Sequence, residues 1–479
     1  MLNKSVWASC KKEYPKLNED IKRNTVVVGG GIAGFLTAFK LAEAGEKVTL
    51  VEADRLFSGT TGKTTAKITA NQGNVYYELY CRYGKTVSGQ YYRAQTDGMH
   101  GFADLIEKYN IDCDFVSTDG NIFSRTSAVK LRKTCEILKS FGAECETVES
   151  VPPVDAVCTL KMGGQYLFDP IKFLSALPVN FEIFEHTRVT DIDAKNKILY
   201  CDNTIRAEKI IVATHYPVIK SYGGYIFKLR QSLSYTVATK EKITDKMYLD
   251  EETDGLSIRP YAGGTVFGGF DHRTGRKKHA DCFKKLKERA NSYGAETVTN
   301  CWAAEDVMTL DGMPLAGRYS EKLKDVYVIT GFNKWGMANS MVCAEIIRDL
   351  ILGKKSEYAQ LFSPQRKIKG CFKDLLINIL TNVGCISGAY LPFTVKSVAN
   401  VRNGEGKVVR YKGKRRAVYR DENGKIHAIG RMCPHMHGEL EFNCETKTWD
   451  CPCHGSRFDI YGNIISEPSA KHCKYFKEN

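Results

Sequence analysis

The sequence predicts an α/β domain with an interleaved α+β region, followed by a small all-β domain at the C-terminus. A β-branched run at residues 25–28 leads into a glycine-rich turn and a helix-forming stretch, which is typical of an α/β domain. From about Lys396 the pattern changes to short β-runs separated by turn residues. A chain of 479 residues with 43% apolar residues is long enough for about three structural units with sizeable cores.

The N-terminal element order is strand, glycine turn, helix, strand and acidic residue. Residues 35–44 form the predicted helix, and residues 47–51 form a second strand that ends at Glu52. In the turn Gly29-x-Gly31-x-x-Gly34, the first glycine permits a tight turn, the second lets the backbone approach a pyrophosphate, and the third lets the helix pack on the strand. The helix N-terminus directs free N–H groups at the phosphates, and Glu52 is placed to accept from ribose hydroxyls. The predicted dinucleotide-binding residues are Gly29, Gly31, Ile32, Ala33, Gly34 and Glu52.

Two further segments distinguish between FAD and NAD. Residues 57–73 read F-S-G-T-T-G-K-T-T-A-K-I-T-A-N-Q-G, and residues 326–339 read V-Y-V-I-T-G-F-N-K-W-G-M-A-N. Together with residues 168–170 (F-D-P) and 210–215 (I-I-V-A-T-H), they resemble the FAD-dependent amine and amino-acid oxidases, the family of D-amino-acid oxidase and glycine oxidase. The resemblance implies an α/β FAD-binding Rossmann-like domain with an interleaved α+β substrate domain. It adds as expected FAD contacts Thr60, Thr61, Ala213, Thr214, Gly331, Gly336 and Met337. Many flavoproteins have glycine where His215 stands.

Two cysteine–histidine pairs near the C-terminus predict an iron–sulfur site. Cys433-Pro434-His435 and Cys451-Pro452-Cys453-His454 supply two thiolates and two imidazoles from two loops. Two thiolates can hold one iron of a [2Fe–2S] cluster, and two imidazoles can hold the other iron. The flanking G-S-R-F-D run at residues 455–459 resembles the Rieske family. A structural zinc site, which also accepts two cysteines and two histidines, is the alternative. The expected metal ligands are Cys433, His435, Cys451 and His454.

The residues around this site predict a low reduction potential. In the high-potential Rieske proteins that this stretch resembles, a cysteine after the first loop pairs with the middle cysteine of C-P-C-H, but here the matching stretch is His437-Gly438. Phe458 stands where those proteins have a tyrosine that donates to a ligand sulfur, and Ser456 is retained. Losing hydrogen bonds to cluster sulfurs lowers the potential. Cys444 is nearby in sequence and could substitute as a partner of Cys453, but a reducing compartment argues against such a disulfide.

The predicted domains are an oxidase-like part at residues 22–355, a connecting segment at 356–395 and a Rieske domain at 396–479. Residues 375–393 are apolar, but Asn378, Asn382, two glycines and Pro392 interrupt the stretch. We therefore expect a connecting helix and loop, and the alternative is a membrane-surface segment.

In the last domain, strands are predicted at 398–401, 407–412, 415–420 and 425–430. Asn403-Gly404 and Asn423-Gly424 are hairpin turn signals.

Charge and cysteine content limit the partners and the compartment. The net charge is +14, and residues 401–420 contain eight Lys or Arg, which form either a solvated face or a docking patch for an acidic redox partner such as a ferredoxin. No nucleic-acid recognition module is present, so nucleic-acid binding is not expected. Seventeen cysteines and an N-terminus without a secretory pattern predict a cytoplasmic protein with free thiols.

These features predict a FAD-dependent oxidoreductase with a Rieske centre. It is expected to dehydrogenate an amine or amino acid and to pass electrons from flavin through the cluster to an external acceptor. A carrier that couples a ferredoxin to another redox partner, without a small-molecule substrate, is the alternative. A ring-hydroxylating oxygenase is discounted because residues 460–479 are too few for a mononuclear iron site. Arg259, Tyr261 and Trp302 lie in segments that contribute to the substrate pocket of the oxidase family, and no catalytic residue is predicted.

Overall fold

The computed structural model describes residues 4–219, 221–252, 255–276, 281–388 and 397–477. Helices and strands are numbered in chain order. The helices are α1 (Ile32–Glu43), α2 (Val75–Tyr83), α3 (Lys85–Tyr109), α4 (Val129–Lys139), α5 (Pro170–Ala176), α6 (Tyr225–Lys228), α7 (Cys282–Asn291), α8 (Gly336–Ile351), α9 (Ala359–Phe362) and α10 (Phe372–Gly388).

The first sheet is the predicted α/β sheet. Its strand order is β16-β17-β10-β1-β2-β7, with β8 and β9 attached beside β10. The central pairs β1–β2, β1–β10, β10–β17 and β2–β7 are parallel, and β16 is antiparallel to β17. The strands are β1 (Ile21–Val28), β2 (Val48–Val51), β7 (Glu182–Phe184), β8 (Asp191–Asp193), β9 (Ile198–Tyr200), β10 (Thr204–Val212), β16 (Leu315–Arg318) and β17 (Val326–Thr330).

The second sheet, of nine strands, belongs to the interleaved domain. Its order is β15-β11-β14-β13-β12-β4-β6-β3, with β5 beside β6. Because these strands alternate along the chain with those of the first sheet, the prediction of an interleaved domain is confirmed. They are β3 (Lys67–Ile68), β4 (Val116–Ser124), β5 (Cys145–Val148), β6 (Cys158–Leu167), β11 (Leu229–Thr239), β12 (Met247–Asp250), β13 (Ser257–Tyr261), β14 (Gly264–Arg273) and β15 (Val298–Thr309).

Glycines bring the elements of the first domain close together. A Cβ on Gly34 of α1 would lie 1.9 Å from the carbonyl oxygen of Gly29, so only glycine lets α1 start against the end of β1. A Cβ on Gly98 of α3 would lie 2.4 Å from the carbonyl oxygen of Ala338 in α8. These close approaches hold α1, α3 and α8 together in one apolar core.

The C-terminal domain contains two four-stranded antiparallel sheets, as expected for a small all-β domain. One has the order β18-β19-β20-β25 and the other β21-β22-β23-β24. Trp449 and Phe458 lie buried in its core beside the cysteines of the two predicted cluster loops. The strands are β18 (Gly406–Tyr411), β19 (Lys414–Arg420), β20 (Ile426–Ile429), β21 (Glu441–Asn443), β22 (Thr448–Asp450), β23 (Arg457–Phe458), β24 (Ile464–Ser466) and β25 (Tyr475–Phe476).

Two local predictions in this domain are wrong. Residues 398–401 are not a strand, because the Ser397 hydroxyl accepts from the Ala399 N–H and a capping box with Asn400 starts a short 3₁₀ turn instead. Asn403-Gly404 lies before β18, and the turn between β18 and β19 is formed by Lys412 and Gly413, both with positive φ. Asn423-Gly424 does lie between β19 and β20, as predicted.

The apolar connecting stretch forms α10 as far as Gly388, and the rest of it, residues 389–396, lies outside the described residues. Among the described residues, no helix is long and apolar enough to cross a membrane.

Candidate functional site

A cavity of about 410 Å³ lies at the carboxyl ends of the parallel strands. This is the edge at which α/β sheets bind ligands, and the volume is within the range of cofactor pockets. The cavity is lined by twelve of the thirteen residues that the sequence predicts for FAD. The exception is Gly34. Its Cα packs against the Gly29 carbonyl, so this glycine allows the turn to pack closely and does not line the cavity.

The glycine turn and the start of α1 form one wall. Gly29 has a φ of +109°, and a Cβ there would lie 2.5 Å from the Ala213 carbonyl oxygen. Gly31 is the N-cap of α1, and a Cβ there would meet only the Thr61 hydroxyl, at 3.3 Å. The space above Gly31 therefore fits a pyrophosphate, and the Thr61 hydroxyl holds the turn by accepting from the Ile32 N–H at 2.9 Å.

Glu52 is fixed by the backbone around it. One carboxylate oxygen accepts from the Gly30 N–H at 2.6 Å and the other from the Asp54 N–H at 2.9 Å. Burial raises the pKa of Glu52 to about 7, although these two N–H groups work against the shift. The carboxylate is thus oriented toward the cavity, where ribose hydroxyls of a dinucleotide would lie.

His215 lines the cavity in the conformation that glycine would favour. Its φ is +62°, in the left-handed region, which explains why flavoproteins have glycine at this place. The Nε2 atom is buried without a hydrogen-bond partner, and burial lowers the pKa of His215 to about 4. The ring is therefore neutral and faces a site that a ligand would complete.

Several cavity residues were not found from the sequence. Thr187, Arg188 and Val189 follow β7, and no motif marks them. The C-terminal domain supplies another wall, from residues distant in sequence: Arg457, Ile464, Ile465, Ser466, Glu467, Ser469 and Ala470. Arg188 and Glu467 form an ion pair of 3.7 Å across the two domains. Only the tertiary structure brings these segments together.

Glu305 and Asp306 on β15 place two carboxyl groups in the same cavity. Glu305 accepts from the Thr274 hydroxyl at 2.9 Å, while its second oxygen, Oε2, is buried without a partner. Burial raises the pKa of Glu305 to about 7 and that of Asp306 to about 6. Groups that titrate near neutrality and face a cavity can accept a proton or hold a cation.

The three residues suggested for the substrate pocket have structural roles and do not line this cavity. The Arg259 guanidinium donates to the carbonyl oxygens of Thr65 and Ala66, at 2.8 and 2.7 Å, and is 3% exposed. The Trp302 indole donates to the Lys63 carbonyl, and Tyr261 packs edge-on against another tryptophan. Arg259 is therefore not available to bind a substrate carboxylate.

The two cysteine–histidine loops meet at the tip of the C-terminal domain. Each is closed by backbone hydrogen bonds, the Cys433 N–H to the Gly438 carbonyl at 2.9 Å and the Cys451 N–H to the Ser456 carbonyl at 2.8 Å. The rings of His435 and His454 lie 5.0 Å apart. All four predicted ligands are thereby brought together.

The donor set fits a binuclear cluster. Both ring nitrogens of His454 are buried without a partner, and burial lowers its pKa to about 3, so that the imidazole is neutral and ready to bind a metal. Within the described ranges no group of three or more His, Cys, Asp or Glu converges on one point as a mononuclear zinc site would require. In a Rieske cluster each iron takes only two protein ligands.

Cys453 has a neighbour that the sequence did not indicate. A Cβ on Gly438 would lie 2.4 Å from the Cys453 sulfur, so there is no room for a further side chain between the loops. Cys385 on α10 instead packs against the apolar cluster that contains Cys453. Cys444 is exposed whereas Cys453 is buried, and the two form no disulfide, in line with the argument from a reducing compartment. Ser456 accepts from the Ser469 N–H at 2.9 Å, and Phe458 is fully buried.

The cluster loops face the flavoprotein part, because their carbonyls and one ring contact it. The Gln231 side-chain amide on β11 donates to the His454 carbonyl at 3.0 Å and to the Glu467 carbonyl at 2.6 Å. Arg273 donates to the Cys453 carbonyl at 3.1 Å. The His454 ring lies 6.3 Å from the ring of Tyr216, the residue that follows His215 in the cavity wall.

Comparison with known proteins agrees with this geometry. Residues 24–350 match the FAD dependent oxidoreductase family, and residues 392–477 match the Rieske [2Fe-2S] domain. The chain is similar to the putative Rieske 2Fe-2S iron-sulfur protein YhfW of Bacillus subtilis, with 31% identity over 96% of this chain and 94% of that protein. It is 22% identical to gamma-glutamylputrescine oxidoreductase of Escherichia coli, over 73% of this chain and 89% of that protein.

Solved structures share the fold of the first part. Glycine oxidase from Geobacillus kaustophilus superposes with a TM-score of 0.62 at 17% identity, covering 72% of this chain and 99% of that one. L-proline dehydrogenase from P. horikoshii gives 0.60 at 19% identity, covering 73% and 97%. The Rieske match decides for a [2Fe–2S] cluster over zinc. The chain is therefore an enzyme of the FAD-dependent oxidoreductase family, with FAD and a Rieske [2Fe–2S] cluster as its cofactors.

Proposed function

We propose that this enzyme dehydrogenates an amine or amino acid and passes the electrons through the Rieske cluster to an external acceptor. Bound FAD supplies two-electron chemistry and the cluster one-electron chemistry. The observation that carries the proposal is the shared wall of the two sites. The His454 ring packs beside Tyr216, and Tyr216 is the next residue in the chain after His215, which lines the FAD cavity. Residues of the C-terminal domain line the same cavity. The two sites are therefore neighbours.

The residues proposed to hold the cofactors are those that the geometry brings together. Gly31 and Ile32 line the cavity at the proposed pyrophosphate position, where the Ile32 N–H is held by the Thr61 hydroxyl, and Glu52 is oriented for the ribose. The remaining proposed FAD contacts are Gly29, Ala33, Thr60, Thr61, Ala213, Thr214, Gly331, Gly336 and Met337. Cys433 and Cys451 are proposed as ligands of one iron, and His435 and His454 as ligands of the other.

An amine substrate is supported by the charges in the cavity. Glu305 and Asp306 can attract an ammonium group, and Glu305 has an oxygen atom free to accept its proton. A neutral amine must form before its C–H bond can be broken by hydride loss, so a carboxylate that accepts the proton at neutral pH serves the reaction. Glycine oxidase and gamma-glutamylputrescine oxidoreductase, to which the chain is similar, are named for an amino acid and an amine derivative.

The external partner is proposed to be a carrier with an acidic surface. Of the eight basic residues at 401–420, some have structural roles: Arg415 pairs with Glu439, Arg416 stacks on Phe476, and Arg420 donates to backbone carbonyls. Lys407 pairs with Glu405, and the remaining four, Arg402, Arg410, Lys412 and Lys414, are exposed and form a basic strip. A cytoplasmic location is proposed because none of the seventeen cysteines forms a disulfide.

The test is anaerobic mixing of the purified protein with a panel of amines, amino acids and hydroxy acids. Loss of the oxidised flavin absorbance, followed by the electron paramagnetic resonance signal of the reduced cluster, is the expected result. Bleaching by a reduced ferredoxin but by no member of the panel would support the carrier without a substrate.

Glu305→Gln sharpens this test. We expect flavin reduction by the active substrate to slow at least about tenfold, corresponding to about 1.4 kcal/mol. In the wild type the rate should fall as pH drops below about 7, because the raised pKa of Glu305 leaves the carboxyl protonated there, and the variant should lack this dependence. Stopped-flow reduction across pH measures both. An unchanged pH profile in the variant would exclude Glu305 as the proton acceptor.

A further inference from the structure

Helix α10 is built with its polar side toward the protein. Asn378 and Asn382 are buried, at 3% and 6% exposure. Their side-chain amides donate to the carbonyl oxygens of Phe227 and Ile226, at 3.3 and 3.0 Å. The Asn378 oxygen also accepts from Arg273. The inner face of the helix is therefore bound by hydrogen bonds rather than by apolar packing.

The outer side of the same helix is apolar and exposed. Exposure reaches 78% at Phe372 and 60% at Leu380. Residues four apart share one side of a helix, so these side chains form a stripe along α10. The α10 apolar face consists of Phe372, Leu376, Ile377, Leu380 and Val383. A helix on a protein surface ordinarily turns such residues inward, so the reversed arrangement indicates an apolar partner.

Basic residues stand at the N-terminal end of this face. Lys367, Lys369 and Lys373 are exposed, and Asp374 is the one acidic residue in the helix sequence. The whole chain carries a net charge of +14. An apolar stripe flanked by lysines on a positively charged protein complements the surface of an anionic bilayer, where cations bind headgroups and apolar side chains enter the boundary with the acyl chains.

We propose that α10 is a membrane-surface docking helix that lays its apolar face on an anionic lipid bilayer. Its 17 residues span about 25 Å, which suits a helix lying in the plane of the interface. The helix contacts the cluster loop through Cys385, which packs against the core that contains Cys453, and through the Asn378–Arg273–Cys453 chain of hydrogen bonds. Docking would therefore hold the cluster loop beside the bilayer. This inference does not depend on the substrate assigned under the proposed function.

The test is co-sedimentation of the full-length holoprotein with vesicles of phosphatidylcholine alone or with phosphatidylglycerol added. We expect binding to the anionic vesicles, weakened by salt, and at least a tenfold loss in Leu376→Glu/Leu380→Glu. The matched control is Val116→Glu/Val129→Glu, which adds the same charge at exposed apolar residues of other elements. Lys369→Ala/Lys373→Ala should lose the preference for anionic lipid, whereas Lys284→Ala/Lys287→Ala on α7 should keep it.

A second measurement follows insertion directly. Phe372→Trp should add fluorescence that lipids brominated on the acyl chains quench, beyond the quenching of wild-type tryptophans. The proposal is overturned if wild-type protein does not bind anionic vesicles, or if both glutamate pairs reduce binding equally. It is also overturned if the wild type is a dimer by light scattering and Leu376→Glu/Leu380→Glu a monomer, since the face would then join two copies of the chain. All of these readouts are independent of flavin or cluster activity.

Discussion

The two cofactor regions are built in opposite ways. The four proposed cluster ligands come from two loops at residues 433–438 and 451–456, each closed by its own backbone hydrogen bonds. The FAD cavity collects residues from β1, β15 and β17, from the segments that follow β7 and β10, and from the C-terminal domain. A local site can be recognised from spacing alone, whereas a site shared between distant segments depends on how the domains pack. We therefore expect a substitution in one region to affect its own cofactor much more than the cofactor of the other region.

The largest expected effect separates the two regions. Cys451→Ala removes one of two thiolates from an iron, so we expect complete loss of the cluster with FAD still bound. Iron content and the paramagnetic signal after dithionite reduction measure the cluster, and absorbance measures the flavin. Cys444→Ala, at an exposed cysteine, is the matched control and should retain both cofactors. A cluster that survives Cys451→Ala would show that the ligands are wrongly assigned.

The corresponding change in the FAD cavity is Gly31→Val. The backbone of Gly31 has a φ of −75° and a Cβ would meet only Thr61, so the fold should accept the substitution. The side chain would occupy the pyrophosphate position, and we expect FAD affinity to fall at least about a hundredfold, or about 3 kcal/mol. Flavin titration with a thermal unfolding control measures this. Gly34→Val should instead destabilise the fold, because its Cβ would collide with the Gly29 carbonyl. Stoichiometric flavin in Gly31→Val would contradict the placement of the site.

A smaller effect is expected within the cluster domain. The wild-type potential should lie toward the low end of the Rieske range, nearer roughly −150 mV than +300 mV. Phe458→Tyr offers a hydroxyl for a ligand sulfur, which favours the reduced cluster, and we expect the midpoint to rise by about 60 mV, or about 1.4 kcal/mol for one electron. Protein-film voltammetry measures both proteins. Phe442→Tyr, on β21 of the same sheet, is the control. A wild-type midpoint above roughly +100 mV would contradict the predicted low potential.

The smallest effect tests whether the two regions are coupled. Gln231 holds the cluster loop at His454 and the cavity wall at Glu467 with one amide group. Gln231→Met removes that donor at similar length, and we expect FAD to leave the holoprotein about fivefold faster, as for the loss of one hydrogen bond of about 1 kcal/mol. Flavin fluorescence after dilution measures release. Tyr235→Phe removes an interdomain contact with Asn443 away from the cavity and should release FAD as the wild type does. Equal release from Gln231→Met and wild type would mean that the C-terminal wall does not retain FAD.

The sequence by itself determined the fold class and the two cofactors, because both depend on short-range chemistry. Gly34 is required by its close approach to the Gly29 carbonyl within one strand–turn–helix unit, and Cys433 and His435 are only two residues apart in the chain. The same local logic predicted β19 and β20, and it failed at residues 398–401 because a serine cap favoured a 3₁₀ turn over a strand.

Only the tertiary structure decided what surrounds the cofactors. It assigned Arg259 to backbone carbonyls, placed Glu305 in the cavity, set Cys385 beside Cys453, and turned the asparagines of α10 inward. Each of these contacts joins residues many positions apart in the chain. Burial and hydrogen bonding at such contacts follow from how the domains pack, and periodicity and spacing within a segment do not encode them.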